Sequence, residues 1–361
     1  MMKIFLLAPA NSIHTVKWVN SFAERGHQVL LSFIRGHEPD KNKLSERVVL
    51  RPLKHRGFIG YYWNAHELKC VVEEFKPDVI NVHYGSGYGT LARLARLPNI
   101  ILSVWGSDVY DFPYKSRVHA TILKRNVRYA YALASTSECM ANQLRRVIKD
   151  DDLEITITPF GIDLRKFNPS LVKRTSSNGF VIGCIKTLKE VYRIEDLIKA
   201  FALLKTKCKE DIRLEIYGNG ELEEELKMLV QKLALGNSVE INKAIPNTEV
   251  PQVLANMDVF CVTSAQESFG VAVLESMAMG LPTVVTDAEG FVEVTQNNLT
   301  SIVVPKKNVE KIADALYQLV NDVDLRRRLG QAGRTHVVAN YDWERCVDVM
   351  IDLYRKVSNL G

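Results

Sequence analysis

Residues 259–287 read VFCVTSAQESFGVAVLESMAMGLPTVVTD. An apolar run, VFCVTS, carries no helical periodicity and predicts a buried strand; PTVVTD predicts a second. Between them GVAVLESMAM has the length and residue choice of a buried helix, so the stretch is a strand, a crossover helix and another strand. Ser268 is expected to cap that helix, which would begin near Phe269. Two carboxylates interrupt this otherwise apolar stretch. Glu267 falls just before the helix and Glu275 inside it, roughly 10 Å further on at 1.5 Å per residue. The free N–H groups of the helix start favour an anion such as a diphosphate.

The same alternation extends in both directions. Ahead of the quoted stretch come FVIGCI, IEDLIKAFALLK, RLEIYGNG, ELEEELKMLVQKLA and SVEIN, with a short helix around EVPQVLANM; after it come TSIVVP and a helix from about Val309. The first half has its own series: KIFLLAP, the amphipathic TVKWVNSFAERGHQ with Val16, Val19 and Phe22 at helical spacing, VLLSFI, HELKCVVEEF, DVINVHY, LARLARL, IILSVWG, a helix around TILKRNVRYA, and ALASTS. Strands apolar on both faces, alternating with helices, indicate parallel sheets covered on both sides. The polar, aperiodic LVKRTSSNGF, residues 171–180, separates the two series as a linker. Two Rossmann-like α/β halves follow, with ligands expected beyond the carboxyl ends of the strands, in a cleft between the halves.

A chain of 361 residues exceeds one ordinary core and suits two domains, and 47% apolar with 25% charged residues is a globular composition. The six cysteines, at 70, 139, 184, 208, 261 and 346, are too widely spaced for a zinc knuckle or a disulfide framework, and a reducing cytoplasm is the expected compartment. MMKIFLLAPANS imitates a signal peptide, but its apolar run is short and it reads as a first buried strand. No apolar segment reaches the roughly 18 residues needed to span a bilayer. Residues 1–165 hold 23 Lys and Arg against 16 Asp and Glu, whereas the remainder holds 24 against 26. The basic half should attract an anionic surface or a phosphate-bearing ligand; ordinary solubility charge is the alternative.

A carboxylate accepts two hydrogen bonds from neighbouring hydroxyls, the arrangement that ribose and hexose rings offer. Glu275 lies among Leu274, Met277 and Ala278, where an unpaired charge is expensive. A bound sugar would compensate it, and so would a lysine or arginine from elsewhere in the chain. ESFGVAVLESMAMGLPTVVTD, with YGNGELEEEL before it and TSIVVP after it, resembles the donor-binding half of retaining glycosyltransferases of family 4, whose signature is Glu, seven residues, Glu. ANSIHTVKWVNSFAERGHQV, STSECM, TPFGIDLRKFNP and YDWERCVDVM resemble further segments of that family, in the same order along nearly the whole chain.

The resemblance implies a GT-B fold: α/β, two Rossmann-like doubly wound parallel-sheet domains facing a central cleft. It assigns residues 1–170 to an acceptor-side domain, 171–339 to a nucleotide-sugar donor domain, and 340–361 to a closing helix that returns to the first domain. Carried over by motif, Glu267 contacts the donor sugar and Glu275 the nucleotide ribose, while Ser268, Phe269 and Gly270 hold sugar and phosphates with their backbone. Gly218 and Gly220 line the nucleotide pocket or simply form a turn. Cations must meet charge building on the leaving diphosphate. Lys186 stands at the position of the family's arginine; Tyr192 occupies the place of its usual lysine, leaving Arg193 or Lys189 as substitutes.

In the first half, Trp105 stands near where many members carry a histidine. Asp108 either orients the acceptor hydroxyl or caps a turn. His14 borders the phosphates unless Asn11 or Ser12 merely caps the helix, and His83 reads as a cleft residue or a core histidine. KHRGFIGYYWN, residues 54–64, mixes cations and aromatics in an expected loop and suits a membrane interface or a saccharide acceptor. No nucleic-acid module surrounds it. The expected activity is a metal-independent, retaining transfer of a hexose-type sugar from a nucleoside-diphosphate sugar, UDP or GDP foremost, to an acceptor hydroxyl, with no cofactor. The expected acceptor is a saccharide or lipid-linked saccharide of the cell surface, and the enzyme is cytoplasmic with a possible peripheral membrane contact. A nucleotide-sugar epimerase and a non-catalytic sensor are the competing classes.

Overall fold

The computed structural model describes residues 1–175 and 179–358, and the chain divides into two compact units: Met1–Phe160 with Glu344–Gly361, and Gly161–Trp343. The stretch expected as a linker, 171–180, includes residues 176–178, which lie outside the described residues, as does the end of the closing segment, 359–361.

Among the described residues the first unit holds seven parallel strands: β1 (Lys3–Leu7), β2 (Gln28–Ile34), β3 (Val48–Leu53), β4 (Val79–His83), β5 (Ile100–Val104), β6 (Ala132–Ser135) and β7 (Thr156–Ile157). Their order is β3-β2-β1-β4-β5-β6-β7. β1 pairs with β2 on one side, Phe5 opposite Leu30, and with β4 on the other, Phe5 opposite Ile80. The chain therefore reverses its winding between β1 and β4, and the loops after these two strands open at that switch point. Phe5, Leu7, Ile80, Val82 and Leu102 lie in one apolar core with Leu68, Leu91 and Leu123 from the covering helices. The helix Trp343–Ser358 belongs to this unit. Its apolar stripe, Val347, Met350, Ile351, Tyr354 and Val357, is buried; Tyr354 lies against Phe22 with ring centroids 5.3 Å apart, and Arg25 forms ion pairs with Glu344 and Asp348.

The second unit repeats the plan with β8 (Phe180–Ile185), β9 (Ile212–Tyr217), β10 (Val239–Asn242), β11 (Val259–Val262), β12 (Thr283–Thr286) and β13 (Ile302–Val304), in the order β10-β9-β8-β11-β12-β13. Its switch point lies between β8 and β11, which pair Val259 with Ile182 and Phe260 with Gly183. The chain enters and leaves this unit side by side: the Ile162 amide donates to Tyr341 O at 2.7 Å and the Trp343 amide to Ile162 O at 3.0 Å.

Two local expectations are corrected. The helix after β11 runs Val271–Ala278, two residues later than expected, and its cap is Gly270 at φ +104°, not Ser268. Only glycine adopts that conformation without strain, and it turns the ESF backbone into the helix axis. The second correction is at residues 54–64, expected as a loop, where Gly57–Trp63 forms a helix closed by Asn64, whose buried amide donates to His55 O and Gly60 O and accepts from the His55 amide.

Candidate active site

In the second unit the loops after β8 and β11 place the site residues at the switch point. Lys186 follows β8, its amide bonded to Tyr217 O, and Glu267 follows β11. Their side chains form an ion pair that is mostly withdrawn from water, 15% and 11% exposed respectively. The Lys186 ammonium also lies 4.3 Å from the centroid of the Tyr192 ring. Burial alone would lower its pKa; the Glu267 charge, the electrostatic effect of the Tyr192 hydroxyl, the hydrogen bond to Glu267 and then Cys184 outweigh it, and the net shift is upward. Lys186 is therefore a permanent cation at neutral pH. Tyr192, which breaks the expected cation pattern, gives that cation an aromatic face.

The loops that carry this pair are tied to their neighbours. Thr263 Oγ1 donates to Arg193 O at 2.8 Å, and the Ala265 amide donates to Val191 O at 2.8 Å, so the end of β11 is bonded to the turn 190–193. Gly290, at the start of the next helix, donates to Glu267 O; a Cβ there would stand 2.6 Å from both Glu267 O and Phe269 N. Gly218 and Gly220 have the same function beside Lys186: a Cβ would come within 1.9 Å of Lys186 O and 2.1 Å of Leu188 O. The turn expected there is thus also a close approach of two backbones that fixes the cation's loop.

Glu275 lies half-buried one face further along its helix. Asn247 donates to it at 3.4 Å and in turn accepts a bond from Lys166. Burial pulls the Lys166 pKa down against the raising effect of Glu275 and Asp163. The sequence reading missed both residues. Lys166 stands in the quoted segment TPFGIDLRKFNP, and only the fold brings it to a glutamate 109 positions away.

Three expected site residues have other engagements. Arg193, at φ +51°, gives its guanidinium to Glu195 and Asp196 in the first turn of the following helix, which leaves Lys186 as the cation beside Glu267. Asp108 is buried, and its two oxygens accept the amides of Gly85, Trp105 and Gly106 at 2.7–3.1 Å. It clasps the loops after β4 and β5 together, so the orienting of an acceptor hydroxyl is not its geometry. Burial raises its pKa and those amide bonds lower it, with a net rise. His14, at the start of helix Ile13–Glu24, stacks on Phe160 at 4.1 Å and 7°; burial first, then Lys17, lower its pKa to about 4. It is a neutral aromatic surface rather than a phosphate-binding cation.

Two family models match this chain: the 4-like glycosyl transferase model over residues 3–137 and glycosyl transferases group 1 over residues 171–336. The chain belongs to glycosyltransferase family 4. Among its relatives, the N-acetyl-alpha-D-glucosaminyl L-malate synthase of Bacillus anthracis is 23% identical over 93% of this chain and 91% of its own length. A D-inositol 3-phosphate glycosyltransferase of Paenarthrobacter aurescens is 26% identical over 66% and 60%. The fold is that of the sucrose-phosphate synthase of Thermosynechococcus elongatus, with a TM-score of 0.84 over the full length of both chains at 18% identity. Anabaena HepE, solved with UDP, is similar at a TM-score of 0.80 over 98% of this chain and 100% of its own, at 16% identity. This family 4 member is a glycosyltransferase with two GT-B Rossmann-like domains, and an epimerase or sensor is not favoured.

Proposed function

We propose that this glycosyltransferase is retaining and metal-independent, and that it transfers a hexose-type sugar from a nucleoside-diphosphate sugar, UDP or GDP, to a saccharide or lipid-linked saccharide in the cytoplasm. The observation that carries the reading is the half-buried Lys186–Glu267 pair beside the glycine-capped helix Val271–Ala278. Glu267 accepts hydrogen bonds from the donor sugar, and the Ser268–Gly270 backbone faces the diphosphate. Lys186 stabilises the charge that grows on the leaving phosphate, a low-dielectric task for which a held cation needs no reorganisation. Glu275, steadied by Asn247 and Lys166, takes the ribose hydroxyls. The bond from the anomeric carbon to the diphosphate oxygen breaks, the acceptor oxygen bonds to that carbon on the same face, and the departing β-phosphate receives the acceptor proton. UDP in the HepE structure and the sugars named for the relatives support the donor class.

The test begins with unfolding temperature in the presence of UDP, GDP, dTDP, ADP and CMP, each with and without EDTA. A ligand at 100 times its dissociation constant adds about 2.7 kcal/mol. One selective, EDTA-insensitive response is expected; a response abolished by EDTA would overturn metal independence. Glu267→Ala should fold and lose turnover by orders of magnitude, and near-normal transfer would refute the assignment. The anomer formed, read by proton NMR, decides retention.

A membrane contact is favoured by the helix Gly57–Trp63. Phe58 and Trp63 are 73% and 68% exposed, Ile59 is exposed beside them, and Lys54 and Arg56 precede them in the chain, a pairing of apolar and cationic groups that suits an anionic lipid surface. Among the described residues no helix is long and apolar enough to cross a membrane. Flotation with phosphatidylglycerol vesicles but not with phosphatidylcholine vesicles, abolished by Phe58→Ser with Trp63→Ser, is the expected outcome.

A further inference from the structure

His83 ends β4 and is fully buried, yet neither of its ring nitrogens has a hydrogen-bond partner among the described residues. A neutral imidazole carries one donor and one acceptor, and burying either without a partner is unfavourable. What surrounds it is aromatic. The indole of Trp105 lies over it, ring centroids 4.1 Å apart at 42°, and Trp105 is itself edged by Tyr84 at 5.4 Å, Phe160 at 5.4 Å and His14 at 6.0 Å. Thr15, beside His14, is buried, and its hydroxyl too has no hydrogen-bond partner among the described residues.

The covering residue is only half-buried, while the backbone that carries it is held in place. Gly106 follows Trp105 at φ +135°, and Asp108 clasps Gly85, Trp105 and Gly106 so that the loops after His83 and Trp105 are held against each other. Tyr84, next to His83, sits at φ +72°, a conformation rare for an aromatic residue, and is fixed by a bond from its amide to Ser103 O. Burial, then the neighbouring His14, pull the His83 pKa down to about 3. The ring is uncharged at neutral pH and suits an uncharged partner that both donates and accepts: a hydroxyl.

We propose that His83 is a binding residue for a hydroxyl of the saccharide substrate, and that Trp105 is its cover, whose indole turns about its own side-chain bonds on that fixed backbone and packs on the apolar face of the sugar ring. The inference rests on the glycosyltransferase reading and adds to it a specificity-determining pair in the first unit.

The deciding variant is His83→Phe, which keeps the volume and removes both unmet polar atoms. Without ligand it should unfold at the same or a higher temperature than the native chain. With the substrate that the native chain turns over, it should raise KM for the saccharide at least tenfold with a smaller effect on kcat. The rise in unfolding temperature produced by that saccharide alone should disappear. His83→Gln, which retains a donor and an acceptor, should recover part of the affinity. Unchanged KM and unchanged saccharide response in His83→Phe would make His83 a core residue. A lower unfolding temperature with unchanged KM would assign its partner as buried water; either result overturns the proposal. If no donor supports turnover but a saccharide panel still stabilises the native chain and not His83→Phe, the pair stands and the transfer reading fails. No stabilisation by any saccharide and no turnover defeats both. Trp105→Ala should make His83 reactive toward diethyl pyrocarbonate, located by peptide mass mapping, and saccharide should protect it; an unreactive His83 argues against the cover.

Discussion

Gly220 and Gly218 show how a single atom can decide a site. Both occur in YGNG, a turn signal, but their necessity comes from the carbonyls of Leu188 and Lys186 on another loop. Backbone oxygen cannot rotate away as a side chain can. Gly220→Ala should therefore cost about 1–3 kcal/mol, the usual range for overpacking, and weaken nucleoside-diphosphate binding through Lys186. Urea unfolding and donor titration check it; a native-like midpoint with native donor affinity would refute the close approach. The glutamates of the Glu-x7-Glu spacing were legible because charge is conspicuous in an apolar run. Arg193 has a local engagement that the motif does not show: the chain supplies Glu195 and Asp196 within three residues, and its guanidinium pairs with both.

Among elements, the closing helix Trp343–Ser358 is the clearest case of long-range design. Asn81 on β4 donates to the buried Tyr354 hydroxyl at 2.8 Å and accepts from Ser103 at 3.0 Å, so one polar chain joins β4, β5 and this helix inside an apolar setting. Tyr354→Phe leaves the Asn81 amide with a lost partner, and a destabilisation of about 1–3 kcal/mol is expected, with secondary structure unchanged by circular dichroism. A variant as stable as the native chain would show that the bond contributes nothing. Strands with continuous apolar runs were readable from sequence. β3 was not, because Arg51 and Pro52 disguise an edge strand with a half-exposed face, and β7 has only two residues. The helix Gly57–Trp63 was taken for a loop since its apolar side chains face outward, contrary to the usual pattern.

For the molecule as a whole, acid is the expected weakness. His14 and His83 have folded pKa values of about 4 and about 3 against 6.5 in the unfolded chain, lowered first by burial. The charges that act on them are Lys17 on His14 and His14 on His83. Above pH 6.5 both states leave these rings neutral and stability is full. Below it the unfolded chain takes up protons that the folded chain refuses, so stability falls by up to about 1.4 kcal/mol per pH unit for each histidine until the folded pKa is reached. Urea midpoints at pH 7.5 and 5.0 should differ accordingly, and His83→Phe should flatten the difference. A pH-independent midpoint over that range would contradict the burial of both rings.

The two Rossmann-like α/β domains and the family were already legible in the amino-acid order, because they depend on local periodicity and on motifs contiguous in the chain. Which polar groups meet depends on the packed fold: Lys166 and Asn247 beside Glu275, Asp108 clasping two loops, Arg193 held by its own helix, and His83 without a hydrogen-bond partner among the described residues under Trp105. Hydrogen bonding and burial are properties of neighbours in space, and in a parallel sheet the neighbours of a residue come from strands that the chain reaches only after a long crossover.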